Sequence, residues 1–413
     1  MKKKRLILLD GYYPYGHGEE FIESEISYVA SKFDEIIIIP THLSGTEKIT
    51  RPVPKNCKVF PVVQRKKIRQ VLYAIPAFTT GMVNFDGWKE TLIDLWFSTS
   101  VLSLYSQVKQ VLKEHNIVAE SSTSTVIYSY WMFKEAAVAI MLRDKYFSGN
   151  AKAVSRAHGS DVYPQRYIAR HLPARPFIAS KIDMLFPISE SANHEIHKIR
   201  TDHPICSTVS RLGVQASNLN APRSRPDICH FLTCSSLLAV KRLPLIVSAM
   251  KELYKQQGKS FRWTHIGDSG KGSGGRLDEM VHDAGLSEVF TNMGRLGNSE
   301  VIAEMEDQKY SFLVNYSESE GVPVTIMEAF SCYLPVIAGD VGGIGELVKD
   351  KVNGFVDSYD PTEKSLVKML IKAVNCSEPE YSALSQSSYE TWKNMADARA
   401  NYQKFTQQLL DLN

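Results

Sequence analysis

Residues 311–330 read Ser311-Phe312-Leu313-Val314-Asn315-Tyr316-Ser317-Glu318-Ser319-Glu320-Gly321-Val322-Pro323-Val324-Thr325-Ile326-Met327-Glu328-Ala329-Phe330. The opening residues make a short strand, Gly321 closes the loop after it, and Pro323 at a first helical position starts an apolar helix near 323–332. A strand end followed so soon by a helix start brings backbone N–H groups and the positive end of the helix dipole to the carboxyl edge of a sheet. Such a place binds anions. Glu320 lies in the loop and Glu328 about one and a half turns into the helix, so two carboxylates are available to accept hydroxyls at opposite ends of one phosphate-bearing ligand. A sugar nucleotide has this layout. Taken alone, the pair is equally a helix cap and a solvated side chain.

The same strand-then-helix alternation runs outward in both directions. Before it come apolar, β-branched runs at 6–9, 36–39, 125–128, 153–156, 184–187 and 208–212, with a helical face of Phe21, Ile22, Ile26, Val29 and Ala30 between the first two. Around it the sequence predicts strands at 228–234, 262–266, 288–291, 311–314 and 335–338, and helices near 242–257, 276–284 and 299–306. Strands joined by helices imply parallel, doubly wound sheets. Residues 214–227 hold two prolines and few apolar side chains, which reads as a linker. The expected fold class is α/β, with two doubly wound, Rossmann-like domains at 1–213 and 227–383 facing across a cleft. A helical segment at 384–413, carrying Trp392, Tyr402, Phe405 and Leu409, is expected to cross back to the first domain.

Length and composition agree with two folded domains. The 413 residues exceed what one hydrophobic core organises, and 44% hydrophobic with 23% charged residues excludes disordered and low-complexity classes. Forty-eight Lys and Arg against 45 Asp and Glu leave +3, which argues against nucleic-acid binding through a generally basic surface. The six cysteines are scattered, with no C-x-x-C pair and no zinc spacing, and read as reduced thiols of a cytoplasmic protein. Lys2-Lys3-Lys4-Arg5 imitates a signal n-region, but only four apolar residues follow, so the segment reads as a first strand. No apolar stretch approaches the roughly 18 residues that span a bilayer. Residues 48–85 contain Lys48, Arg51, Lys55, Lys58, Arg65, Lys66, Lys67 and Arg69 and no acidic residue, and apolar residues follow at 71–78. That pattern suits a peripheral contact with anionic membrane through 48–78, at the inner face of the plasma membrane, or a solvated face beside a core helix.

Downstream of the opening stretch the sequence continues Ser331-Cys332-Tyr333-Leu334-Pro335-Val336-Ile337-Ala338-Gly339-Asp340-Val341-Gly342-Gly343-Ile344-Gly345-Glu346-Leu347-Val348, then Asn353-Gly354-Phe355-Val356. This resembles the family-4 retaining glycosyltransferases of the GT-B fold, the type that builds bacterial surface polysaccharides. The match is specific across 311–356, with weaker matches over nearly the whole chain. The resemblance implies that Glu320 contacts hydroxyls of the donor sugar and Glu328 the ribose hydroxyls, while the amides of Gly321, Val322, Val324 and Thr325 hold the diphosphate. It also implies a cation at the start of the second domain's first helix, the place of Lys241-Arg242, because a leaving diphosphate needs its developing charge stabilised. Many relatives carry an Arg where this chain has Ser236; Arg242 is the expected substitute.

In the first domain, Pro14-Tyr15-Gly16-His17-Gly18-Glu19-Glu20 forms a glycine loop after the first strand, which resembles the loop of relatives that borders donor and acceptor. Gly16 and Gly18 are expected on the donor side and Glu19 on the acceptor side. Ser155-Arg156-Ala157-His158-Gly159-Ser160-Asp161 follows another strand; relatives carry a His at the matching point, so His158 is expected to line the reacting face, with Arg156 and Asp161 holding acceptor hydroxyls or forming a loop salt bridge. Arg295 and Leu296 resemble the segment that borders the base. Residues 267–275 are Gly-rich but lack the Gly-Lys-Ser or Gly-Lys-Thr of a P-loop, and read as a loop over the nucleotide. With no Asp-x-Asp, neither a metal nor any other cofactor is expected. The implied activity is metal-independent, retaining transfer of a sugar from a nucleotide-diphosphate donor to a saccharide, lipid-linked acceptor in surface polysaccharide biosynthesis. Two rivals remain: a nucleotide-sugar 2-epimerase, which needs no acceptor, and a non-catalytic partner subunit that binds nucleotide sugar or glycan.

Overall fold

The structure is a computed structural model, and it describes residues 2–16, 19–64, 71–85, 87–167, 169–267, 274–357 and 362–412. The chain divides into two compact units, Met1–Leu212 together with Arg399–Asn413, and Gly213–Ala398. In the first unit, strands β1 (Lys3–Asp10), β2 (Glu35–Pro40), β3 (Cys57–Val59), β4 (Thr123–Ser129), β5 (Lys152–Ala157) and β6 (Met184–Pro187) form one sheet in the order β3-β2-β1-β4-β5-β6. Every pairing is parallel. Leu6, Ile7, Leu8 and Leu9, like Ile36, Ile37, Ile38 and Ile39, are wholly buried. Their unbroken apolar runs fit a parallel sheet covered on both faces. Phe405 and Leu409 of the last helix, Ala398–Asp411, complete one of those faces beside Leu6, Tyr128 and Phe186. Burying two such side chains contributes about 1.5–3 kcal/mol each, enough to anchor the helix to this unit.

The second unit repeats the plan. Strands β7 (Cys229–Cys234), β8 (Phe261–Ile266), β9 (Phe290–Asn292), β10 (Phe312–Asn315), β11 (Val336–Gly339) and β12 (Gly354–Asp357) are parallel, in the order β12-β11-β10-β7-β8-β9. Both sheets therefore carry the 3-2-1-4-5-6 order of a Rossmann fold, with the winding direction reversing between β1 and β4 in one and between β7 and β10 in the other. Loops at the carboxyl ends of those four strands are where each sheet opens for a ligand.

The structure departs from the sequence reading at four places. Residues 208–212 are not a strand: Thr208 N and Ser210 N donate to Leu185 O and Pro187 O, so the segment runs beside the edge of β6 with only a bridge at Ser207. Strands β3 and β12 are three and four residues long, too short for their alternation to register in the sequence. The supposed linker is packed into the second unit, because Arg223 is almost wholly buried and donates from Nε to Cys332 O at 2.7 Å. Finally, helix Glu378–Met395 belongs to the second unit, where Tyr381 and Leu384 join its core and Trp392 Nε1 donates to Val214 O, so the return to the first unit comes at Arg399.

Candidate functional site

In the second unit the loops after β7 and β10 meet. The loop after β7 ends in a helical turn, Ala239–Lys241, and Arg242 in left-handed backbone conformation caps helix Leu243–Gln257. Glu318 N donates to Val240 O at 2.8 Å, tying the two loops together. Just beyond this bond, Lys241 Nζ donates to Glu320 Oε1 at 2.6 Å, the lysine side chain a quarter exposed and the carboxylate mostly buried. Pro323 is the N-cap of helix Val324–Ser331 rather than its first residue. Ile326 N reaches back to Pro323 O, so the N–H groups of Val324 and Thr325 precede the first intrahelical bond and stand at the positive helix end.

A second pair of glycines fixes this loop. Gly342 has φ +59°, and a Cβ there would run into the carbonyl oxygen of Glu320. Gly343 N donates to Gly321 O at 2.8 Å. Deeper along the helix, Glu328 is 5% exposed and its Oε1 accepts from Asn298 Nδ2 at 2.8 Å. Cys234 closes the group: burial pushes its thiol up to about 12, with the Glu328 charge adding to the rise and the Lys241 charge opposing it. Arg242 lies within electrostatic reach of the Tyr316 hydroxyl. Arg295, exposed, and Leu296 lie just before helix Asn298–Glu306, after Gly294, whose carbonyl accepts from Gly267 N. Residues 268–273 of the Gly-rich loop lie outside the described residues.

The first unit uses its polar residues differently. Arg156 is wholly buried, donates to Glu25 from Nε at 2.8 Å and to Ser210 O from Nη1 at 2.7 Å, and lies 4.0 Å over the Phe405 ring. Burial alone would lower its pKa; the Glu25 carboxylate outweighs that and holds the guanidinium protonated. Asp161 is equally buried, its two oxygens taking the N–H groups of His158 and Met132. Of the two readings the sequence left open for Arg156 and Asp161, acceptor hydroxyls or a loop salt bridge, the structure shows each side chain buried and paired within the first unit, Arg156 with Glu25 and Asp161 with backbone N–H groups. Glu19 accepts from the backbone of Gly11, Tyr12 and Tyr13 and from Trp131 Nε1 at 2.6 Å, so its carboxylate ties the backbone after β1 to Trp131. Gly16 has φ +56°, which its lack of a side chain permits, and its carbonyl accepts from Thr50 Oγ1. Gly18 lies outside the described residues.

His158 stands against Trp131, ring centroids 4.5 Å apart, and its Nε2 lies 3.0 Å from Tyr130 O. A carbonyl only accepts, so Nε2 carries the proton and Nδ1 keeps a lone pair. Burial pushes the ring down to about 4, keeping it neutral near pH 7. Among the described residues no group of three or more His, Cys, Asp or Glu is placed to hold a metal.

Residues 222–391 match the family Glycosyl transferases group 1. Over these residues the chain is similar to a glycosyl transferases group 1 domain. The matched stretch falls inside the second unit and contains Lys241, Glu320 and Glu328. The amylovoran biosynthesis glycosyltransferase AmsK of Erwinia amylovora is 26% identical over 213 residues, 50% of this chain and 51% of that protein. The chain thus matches about half the length of this relative. An uncharacterized glycosyltransferase of Methanocaldococcus jannaschii is 24% identical over 368 residues, 89% of this chain and 87% of that protein. Anabaena HepE, solved in complex with UDP, has a TM-score of 0.68 at 13% identity, covering 98% of this chain and 100% of that one. That likeness shows the fold, GT-B, with its two Rossmann-like domains.

Three residues around the second unit's loops and the first unit's loops escaped the sequence reading. Asn298 holds Glu328, Gly342 allows the Glu320 loop its close approach, and Trp131 joins Glu19 to His158. Trp131 was findable, since it follows β4 at a winding reversal.

Proposed function

We propose that the chain is a retaining glycosyltransferase that moves a sugar from a nucleotide-diphosphate donor to a saccharide, lipid-linked acceptor in surface polysaccharide biosynthesis. The observation that carries this reading is the Lys241–Glu320 pair at the start of helix Val324–Ser331, 2.6 Å apart at the carboxyl edge of the sheet. In this reading Lys241 and the N–H groups of Val324 and Thr325 neutralise the leaving diphosphate, which lowers the barrier to breaking the bond between sugar and phosphate. Glu320 accepts a sugar hydroxyl and Glu328, steadied by Asn298, accepts the ribose hydroxyls. In the first unit, His158 is neutral and its Nδ1 lone pair can accept a hydroxyl. A donor phosphate oxygen takes the acceptor proton on the face the diphosphate leaves, so no enzymic base is required. The surface-polysaccharide assignment draws support from AmsK, whose name places it in amylovoran biosynthesis.

The test is nucleoside diphosphate release from UDP-, GDP-, ADP- and dTDP-sugars, with glycan acceptors and with EDTA. Expected are acceptor-dependent release from one donor class, insensitivity to EDTA, and a product anomer matching the donor by NMR. Glu320→Gln is expected to cut turnover without lowering the melting temperature; unchanged turnover overturns the assignment. Release without acceptor and with inversion at the sugar's C2 would instead mark an epimerase, and donor binding without any turnover a partner subunit.

A further inference from the structure

Among the described residues, seven of the fourteen large apolar side chains that are exposed lie between Leu72 and Trp96 in the first unit. The turn Val71–Tyr73 leads into the short helix Ala74–Ala77, and both pack on helix Trp88–Glu114. Ala77 is buried, whereas Leu72 and Ile75 are 81% and 84% exposed and Phe78 half-exposed. On the long helix Trp88, Leu92 and Trp96 recur every four residues, all exposed, Trp88 at 71%. One and the same helix then changes character: from Val101 through Leu104, Val108 and Leu112 its apolar side chains are buried in the core. An apolar stripe with tryptophan at both ends that faces water is unfavourable unless something covers it.

Charge indicates what covers it. Lys89 Nζ sits 5.4 Å over the Trp88 ring, and the acidic Asp94 is turned inward, 1% exposed, where it accepts from Asn84 N and His171 Nε2. The 38 residues 48–85 that lead into this region contain eight Lys and Arg and no Asp or Glu. Tryptophan, aliphatic side chains and a surplus of cations are together the composition of a surface that enters the headgroup layer of an anionic bilayer. We propose that the face formed by Leu72, Ile75, Phe78, Trp88, Leu92 and Trp96 docks this chain on an anionic lipid bilayer. Membrane docking does not depend on the transferase reading, and its assay contains no sugar donor, so either fails without the other.

Full-length chain is floated with vesicles of phosphatidylcholine alone and of phosphatidylcholine with phosphatidylglycerol, at low and high salt. Expected is flotation with the anionic vesicles that declines as salt screens the attraction. The double variant Ile75→Glu, Trp88→Glu, both sites being exposed, is expected to keep its circular dichroism spectrum and melting temperature and to lose at least about tenfold in partitioning. Brominated lipid is expected to quench the fluorescence of the wild type, and Trp88→Phe, Trp96→Phe to remove that quenching while Trp131, Trp263 and Trp392 still emit. Absence of flotation with anionic vesicles at low salt, or equal partitioning of wild type and double variant, overturns the proposal. So does concentration-dependent self-association abolished by Trp88→Glu, which would give the face to a second copy of the chain.

Discussion

The loop after β5 in one sheet and the loop after β10 in the other both leave the carboxyl end of a parallel strand in sheets of identical strand order, yet they spend their charges in opposite ways. After β5, Arg156 and Asp161 are wholly buried and their hydrogen bonds go to Glu25, Ser210, His158 and Met132. After β10, Glu320 meets a single partly exposed lysine, and helix Val324–Ser331 presents its first N–H groups. Charge that is buried and satisfied by several partners holds a loop in shape; a charge whose lysine partner is a quarter exposed can exchange that partner for a ligand. Four experiments bear on that contrast.

The largest effect is expected from Arg156→Ala. Removing one partner of a buried ion pair leaves Glu25 uncompensated, which costs about 3–5 kcal/mol, read as a lower urea midpoint. Native stability combined with lost turnover would place Arg156 in acceptor binding and break the comparison. Lys241→Ala is the counterpart: an unchanged urea midpoint with turnover reduced by about 2.7–4 kcal/mol of transition-state stabilisation, roughly a hundred- to a thousandfold. Next comes Glu328→Gln, which weakens an acceptor for ribose and is expected to reduce donor affinity by about 1.5–3 kcal/mol in calorimetry, with turnover at saturating donor preserved. A loss of turnover without loss of affinity would move Glu328 from the nucleotide to the reacting sugar.

The smallest effect is a pH slope. Burial pushes His158, His230 and His265 each down to about 4, below the usual value near 6.5. Between those values the unfolded chain binds more protons than the folded one, so stability rises with pH across about 4 to 6.5 and is flat above. Each histidine contributes up to about 1.4 kcal/mol per pH unit there. His158→Asn is expected to remove one histidine's share of the slope in urea titrations, while an unchanged slope would mean the folded protein holds this ring protonated.

Legibility followed distance along the chain. The loop from Asn315 to Thr325 was readable because a strand end, Gly321 and Pro323 lie within a dozen residues and local backbone rules govern them. Even there, Lys241 was recognised only as a cation at a helix start; that it meets Glu320 requires the sheet to bring β7 beside β10 across 79 positions. For Arg156 the sequence leaves two readings open because its partner Glu25 is 131 positions away, and a polar residue at a strand end looks the same in sequence whether it faces a ligand or the core. The helix Glu378–Met395 went to the wrong unit for a related reason: its apolar residues state that they will be buried, not against what.

By itself the sequence determined the fold class, two parallel sheets wound by helices, because the alternation of apolar runs and helical faces is a local property repeated along the chain. It also determined the anion-binding loop before Val324, since helix-end electrostatics and the conformations of Gly and Pro need no distant partner. Only the tertiary structure decided which charges remain available. Burial and pairing turned Arg156, Asp161 and Glu19 into parts of the scaffold, left Lys241 and Glu320 partly in contact with solvent, and left Trp88, Leu92 and Trp96 uncovered on a helix whose next turns are core. Each outcome depends on residues brought together from far apart in the chain, and the free energy of a charge or an apolar ring is set by that surrounding.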